Sequence, residues 1–277
     1  MEARFTDSRI LIAGLGLIGG SVAKALHGAG CTHINALDTD LTSIETAKAE
    51  GVIEAEYAEN DQCFDIVICA LPPQAIPLIY TQVKNRLASG GVFAELSGLK
   101  TALVDALYDV VEPHHALLCL HPMAGSEKAG FGHSKAALFE GAPLILTSTD
   151  KTTDISLEWA KFLCKALQCG DMTQLSPALH DAVVADLSHL PHVAALAVYA
   201  VGKGLERFAG GSFHAITRVA DLNAPLWAGL LMDNAEYLQR SLARLKHNLD
   251  TIDQALAERD TQKLEILLSN MAKGVNI

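Results

Sequence analysis

The sequence predicts an α/β fold: a doubly wound parallel sheet over residues 1–173, followed by an all-helical domain over residues 174–277. Three observations predict it. Short apolar runs alternate with helical stretches up to about Met172, the pattern of strand–helix–strand units that build a parallel sheet. After about Ser176 no strand-like run follows. The 277 residues, half of them apolar, are too many for one typical domain and comfortable for two.

Residues 9–13 are apolar and run into glycines, so they read as a buried strand, and residues 21–29 as the helix after it. Residues 34–38 read as a second strand and 42–50 as a second helix. Residues 65–71 form a strand rich in β-branched side chains, stopped by Pro72-Pro73. Residues 92–95, 117–120 and 143–147 are further strands. In the helical part, Leu231, Ala235, Leu238, Leu242, Leu245, Leu249, Ile252 and Leu256 recur at alternating steps of four and three. Such a seam packs either inside its own subunit or against a second one; the expectation is a homodimer, since closed two-fold dimers are the commonest oligomers.

Composition narrows the partners. The formal net charge is −11 and no Lys/Arg cluster occurs, which argues against nucleic acid. No uninterrupted apolar run reaches about 20 residues, so no membrane span is expected. The N-terminus lacks the basic segment of a signal peptide. The six cysteines include no C-x-x-C pair and read as reduced thiols of a cytoplasmic protein.

The turn Gly14-Leu15-Gly16-Leu17-Ile18-Gly19 follows the first strand and opens a helix, with Asp38 at the end of the next strand. In that context the glycines mark a dinucleotide site. Gly14 permits the tight turn, Gly16 lets the backbone approach a pyrophosphate, and Gly19 lets helix and strand pack closely. The helix N-terminus offers free N–H groups and a positive dipole end. Asp38 suits the adenosine ribose hydroxyls and would repel a 2′-phosphate, which favours NAD over NADP. The alternative is a glycine turn with no ligand.

His121 follows the strand ending at Leu120, and in open α/β sheets ligands bind at the carboxyl ends of strands. A histidine there can serve as hydrogen-bond acceptor or base. His180-Asp181 and Ser188-His189-Leu190-Pro191-His192 form a second cluster, in which a proline sits within helical sequence at a cost of roughly 3 kcal/mol. A metal site is the rival reading of these histidines, but His180 and His189 are nine residues apart and fall on opposite faces of a straight helix. No metal is expected. Arg218, near Trp227, suits a bidentate carboxylate contact, with a surface ion pair as the alternative.

Together these segments resemble the prephenate/arogenate (cyclohexadienyl) dehydrogenase family. The resemblance implies an N-terminal Rossmann domain, a helical dimerisation domain, and NAD-dependent oxidative decarboxylation of prephenate to 4-hydroxyphenylpyruvate, or of arogenate to tyrosine. It implies that His121, uncharged, accepts a hydrogen bond from the substrate hydroxyl, that Arg218 binds a substrate carboxylate, and that His180, His189, His192 and Trp227 line or support the pocket. Three positions depart from the family pattern. The family commonly has Gly-Ser-x-Lys where this chain has Ser97-Gly98-Leu99-Lys100, so the serine expected to polarise the hydroxyl, Ser97, comes one place early. Ala215 replaces an acidic residue common three places before the arginine, and Ala228 an arginine that often follows the tryptophan. Loss of the acidic residue removes one candidate partner for the ammonium of arogenate, while Asp221 and Asp233 remain, and the reading leans to prephenate. Nothing in the 277 residues resembles a chorismate mutase or a regulatory domain.

Two other functions share part of this pattern. A β-hydroxyacid dehydrogenase of the 3-hydroxyisobutyrate or 6-phosphogluconate type would use a lysine early in the second domain; Lys203 is present without the asparagine pattern that accompanies it. A non-catalytic NAD sensor would keep residues 14–19 and have no need of His121 and Arg218 together.

Overall fold

The computed structural model describes residues 2–60, 62–126 and 128–274. Eight strands form one sheet: β1 (Ile10–Ala13), β2 (Ile34–Leu37), β3 (Ala55–Glu56), β4 (Phe64–Cys69), β5 (Leu87–Glu95), β6 (Ala116–Pro122), β7 (Leu144–Thr147) and β8 (Met172–Leu175). Their order is β3-β2-β1-β4-β5-β6-β7-β8. The direction of winding reverses beside β1, which makes the carboxyl ends of β1 and β4 the switch point where doubly wound sheets bind ligands.

The sheet is covered on both faces, as its unbroken apolar strands require. Ile10, Ile12, Ile34, Ala36, Ile66, Ile68, Val92 and Ala94 point into one core with helices Leu17–Gly28 and Asp154–Ala166. Leu11, Ala13, Val67, Cys69, Phe93, Leu117 and Cys119 point into the other, against helices Ile76–Val83 and Thr101–Val110. The alternation is the two-residue period of a strand read across two layers.

Two features differ from the sequence reading. The sheet is not wholly parallel, because β6 pairs with β7 antiparallel, Leu120 opposite Leu146 and His121 opposite Ile145. Among its described residues, the segment joining them holds short 3₁₀ turns, Phe131–His133 and Ala136–Phe139, and no full crossover helix to bring the chain back in the same sense. Helix Asp154–Ala166 then carries β7 to β8 in parallel. In addition, the edge strands β3 and β8 carry no continuous apolar run: β3 has two residues, and β8, Met-Thr-Gln-Leu, has both its central side chains exposed.

The chain divides into two compact units, Met1–Asp181 and Ala182–Ile277. Helix Pro177–Val184, the π-helical turn Ala185–His189 and helix Leu190–Gly202 follow one another directly. The Leu190 N–H donates to the Ala185 carbonyl five residues back, and Pro191 falls in the turn that follows this widened one. The proline is thus absorbed by a widened turn just before it. The run Pro177–Gly202 is long and apolar enough to cross a membrane by length and mean hydropathy (1.3), although it carries His180, Asp181, Asp186, His189 and His192. Helices Gly211–Thr217, Ala224–Asp233, Ala235–Ala257 and Thr261–Ala272 complete the second unit. The heptad seam is interrupted at its start: Leu231 lies on the helix before Asn234, a residue outside helical geometry, and the rest of the seam begins at Ala235.

Candidate active site

Backbone geometry at the glycine turn accounts for each glycine. Gly14 has φ +93°, and a Cβ there would sit 2.7 Å from the Ala70 carbonyl oxygen. A Cβ on Gly19 would overlap the Gly14 carbonyl oxygen at 1.8 Å. Gly16 differs: nothing lies within 4 Å of its would-be Cβ, and it is the N-cap of helix Leu17–Gly28 with no side chain satisfying the first amides. Open space beside unsatisfied N–H groups suits a pyrophosphate. Asp38 accepts hydrogen bonds from the Leu15 N–H at 2.5 Å and the Asp40 N–H at 2.8 Å, one on each carboxylate oxygen. The carboxylate therefore ties β2 to the glycine turn and keeps lone pairs for ribose hydroxyls. Leu15 is fully buried, while Leu17 and Ile18 are half-buried in the first helical turn. These residues fit NAD.

His121 lies near the carboxyl end of β6 and is half-buried. Its Nδ1 is 2.9 Å from Nε2 of His180, whose Nδ1 is 2.8 Å from Oδ1 of Asp181. Asp181 in turn accepts from the backbone N–H groups of Lys100 and Thr101, both at 2.8 Å, at the start of helix Thr101–Val110. Burial alone would raise the Asp181 carboxyl, but the hydrogen bonds from His180, Thr101 and Lys100 outweigh it and hold the group below its ordinary value. A carboxylate can only accept, so His180 Nδ1 carries a proton, and in the neutral imidazole Nε2 is then the acceptor for His121 Nδ1–H. In that tautomer His121 Nε2 carries no proton and can serve as an acceptor. Facing it is Gly98, whose would-be Cβ lies 3.9 Å away.

Ser97 is not part of this line. It is buried, its N–H and hydroxyl both reach Glu95 Oε2, at 2.8 and 2.7 Å, and the hydroxyl also lies 2.7 Å from the Leu99 carbonyl. Glu95 pairs with Lys100, and both side chains are fully buried. The sequence reading missed the roles of Asp181 and of this pair. Asp181 stood beside His180 as a visible signal and Lys100 stood in the Gly-Ser-x-Lys pattern, whereas nothing marked the two charges as a buried pair, because charged residues near a turn ordinarily face solvent.

In the second unit, His189 is buried and its Nδ1 takes a hydrogen bond from the Asn234 amide at 3.3 Å. His192 donates from Nδ1 to the Ser188 carbonyl at 2.8 Å and its ring lies against Trp227, centroids 4.0 Å apart. Trp227 also meets His189 edge-on at 6.1 Å. Arg218 caps helix Gly211–Thr217, is exposed, and makes no ion pair among the described residues. No group of three His, Cys, Asp or Glu side chains among the described residues could hold a metal.

Comparison with known proteins places this geometry. The chain matches the family described as prephenate dehydrogenase, nucleotide-binding domain, over residues 22–169, and prephenate dehydrogenase, dimerization domain, over residues 176–270. It is 30% identical over 273 residues to a prephenate dehydrogenase of Bacillus subtilis, covering 92% of this chain and 72% of that one. It is 28% identical to a cyclohexadienyl dehydrogenase of Zymomonas mobilis, over 91% and 89% of the two chains. Among solved structures it is similar to a prephenate dehydrogenase from A. aeolicus in complex with hydroxyphenyl propionate and NAD+, with TM-score 0.86, 27% identity, and 96% of each chain covered. With both parts of the family matched in order along nearly the whole chain, it belongs to the prephenate dehydrogenase family.

Proposed function

We propose that this chain catalyses the NAD-dependent oxidative decarboxylation of prephenate to 4-hydroxyphenylpyruvate. The observation that carries the proposal is the hydrogen-bonded line Asp181–His180–His121, which puts the His121 proton on Nδ1 and makes Nε2 an acceptor, in the same unit as the dinucleotide turn.

The chemistry follows from that nitrogen. The substrate hydroxyl donates to His121 Nε2, which draws density toward the oxygen. Held by the glycine turn, NAD would supply the acceptor for the hydride on the carbon bearing that hydroxyl. The ring carboxylate leaves as carbon dioxide, its bonding pair enters the ring, and the hydroxyl proton taken up by His121 Nε2 returns to the phenolate oxygen, which gives 4-hydroxyphenylpyruvate and restores the neutral imidazole. The positive charge that develops on His121 is stabilised through His180 by the Asp181 carboxylate, the arrangement by which a buried carboxylate orients a catalytic imidazole and offsets its charge.

Gly14, Gly16 and Gly19, with the first amides of the helix at Leu17 and Ile18, would hold the pyrophosphate, and Leu15 presents Asp38 for the adenosine ribose. Arg218 is the proposed carboxylate clamp, since an exposed guanidinium without an ion partner keeps its planar fork available. His189, His192 and Trp227 are the proposed substrate-binding rings. Ser97 is assigned to holding Glu95 rather than to the substrate hydroxyl. Residues 1–173 are proposed as the cofactor part and 174–277 as the substrate and dimerisation part, acting as a cytoplasmic homodimer. Ala215 supplies no carboxylate for an ammonium group, which supports prephenate over arogenate.

The test is NADH formation by purified protein given NAD with prephenate and, separately, with arogenate. Turnover faster with prephenate is expected. No turnover with either, in protein shown to bind NAD, overturns the proposal. His121→Asn is expected to keep NAD and substrate affinity and to lose at least a hundredfold in kcat.

A further inference from the structure

Lys100 is a fully buried lysine beneath His121, and its contacts reach two parts of the proposed site at once. Its ammonium donates to Glu95 Oε1 at 2.5 Å, to the Ser97 carbonyl at 2.9 Å and to the Leu120 carbonyl at 2.7 Å. All three protons are thereby used. Its backbone N–H donates to Asp181. The other Glu95 oxygen is held by Ser97.

The Leu120 carbonyl belongs to the peptide that begins His121. Pairing between β5 and β6 ends at Glu95 opposite Cys119, so that carbonyl lies one residue beyond the ladder. The ammonium supplies a donor where the strand no longer does. A peptide unit is planar, so fixing its oxygen fixes the nitrogen of His121 with it. The same residue, through its own N–H, fixes the carboxylate that sets the tautomers of His180 and His121.

We propose that Lys100, with Glu95 as its counter-ion, is a positioning residue that holds His121 and Asp181 in register so that Nε2 of His121 faces the substrate hydroxyl. This rests on the dehydrogenase reading above. A buried ion pair is weak evidence for stability, since an apolar pair of similar volume is often as stable. The distinctive feature here is which backbone and side-chain atoms the pair holds.

The experiment compares wild type with Lys100→Met and with the double variant Glu95→Gln/Lys100→Met. The single variant leaves a buried carboxylate unpaired and is expected to lose stability. The double variant removes both charges and is expected to melt near wild type. Its kcat is expected to fall roughly ten- to hundredfold, with apparent KM for NAD and prephenate within about twofold, the signature of misplaced reacting groups. Nitrogen-15 spectra of the imidazole of His121, recorded without substrate, are expected to show sharp signals of one ring environment in wild type and shifted or broadened signals in the double variant, whose Leu120 carbonyl has lost its ammonium donor. A double variant that does not fold, or that folds with kcat within twofold of wild type, or whose His121 spectrum matches wild type, overturns the proposal. Because the spectra need no turnover, they separate its failure from failure of the dehydrogenase reading, which the wild-type assay decides.

Discussion

Among single residues, Asp181 sets the chemistry of two others, and a change that preserves its shape tests this. In Asp181→Asn an amide can donate toward His180 Nδ1. The tautomers along the line then reverse, His180 Nε2–H donating to His121 Nδ1, and His121 Nε2 carries a proton where it needs a lone pair. A fall in kcat of at least about a hundredfold is expected, with NAD affinity unchanged. Stability responds as well. The Asp181 carboxyl is held below its ordinary value of 3.8, so its ionisation favours the fold. That contribution is fully present above the ordinary value and is lost as pH falls through the lowered one. The variant should therefore melt below wild type at neutral pH, by about 1–2 kcal/mol of lost hydrogen bonding, and the gap should narrow as pH falls below the ordinary carboxyl value. Arg218 is tested by a different split. Arg218→Gln is expected to raise the apparent KM for prephenate about tenfold or more with little change in kcat, because a clamp on a non-reacting carboxylate binds ground and transition states alike. An unchanged KM removes Arg218 from the site.

At the scale of elements, the helix opening at Leu17 separates fold from function within one motif. Gly19→Ala drives a Cβ into the Gly14 carbonyl oxygen, so the turn must shift and the protein should melt several degrees lower. Gly16→Ala meets nothing within 4 Å and its backbone already lies at φ −68°, so the fold should tolerate it. Its methyl instead occupies the approach to the first amides, and the Kd for NAD should rise at least about tenfold by calorimetry with the melting temperature nearly unchanged. Equal effects of the two substitutions on melting would refute this division. The glycine turn was legible in the sequence because its spacing has one physical use. The central strands were legible because strands buried on both faces read as apolar runs. The edge strands β3 and β8 were not, since a strand half in water has little apolar pattern, and the reversal at β7 depends on the length of a connection rather than on any residue type. In the site, His121 and His180 stood out as residues, but their hydrogen bond joins positions 59 apart, and no local pattern encodes it. The placement of Ser97 was unreadable for a different reason: its partner, Glu95, is only two residues away but looks like an ordinary surface charge.

For the whole molecule, the second unit leaves much apolar surface uncovered. Of the most apolar window in the run Pro177–Gly202, 22% is buried, and Val201, Phe208 and Met232 are 86%, 71% and 74% exposed. In the long helix Ala235–Ala257 the seam is buried at Leu238, yet Leu249 and Leu256 are each 56% exposed. Scattered exposed apolar side chains are ordinary, whereas a concentration of them on one unit marks an interaction surface. A second copy of the chain is the proposed cover, in keeping with the dimerization domain matched over residues 176–270. In a closed two-fold dimer every interface residue occurs twice, so one substitution places two charges in the contact. Val201→Glu and Leu249→Glu are accordingly expected to shift the sedimentation of the protein from dimer to monomer at micromolar concentration, while a control such as Glu45→Gln, on the exposed face of the helix Leu41–Ala49, leaves it unchanged. If wild type itself sediments as a monomer over that range, the uncovered face is not a self-association surface. If it is a dimer that both glutamate variants leave intact, the contact lies elsewhere on the chain.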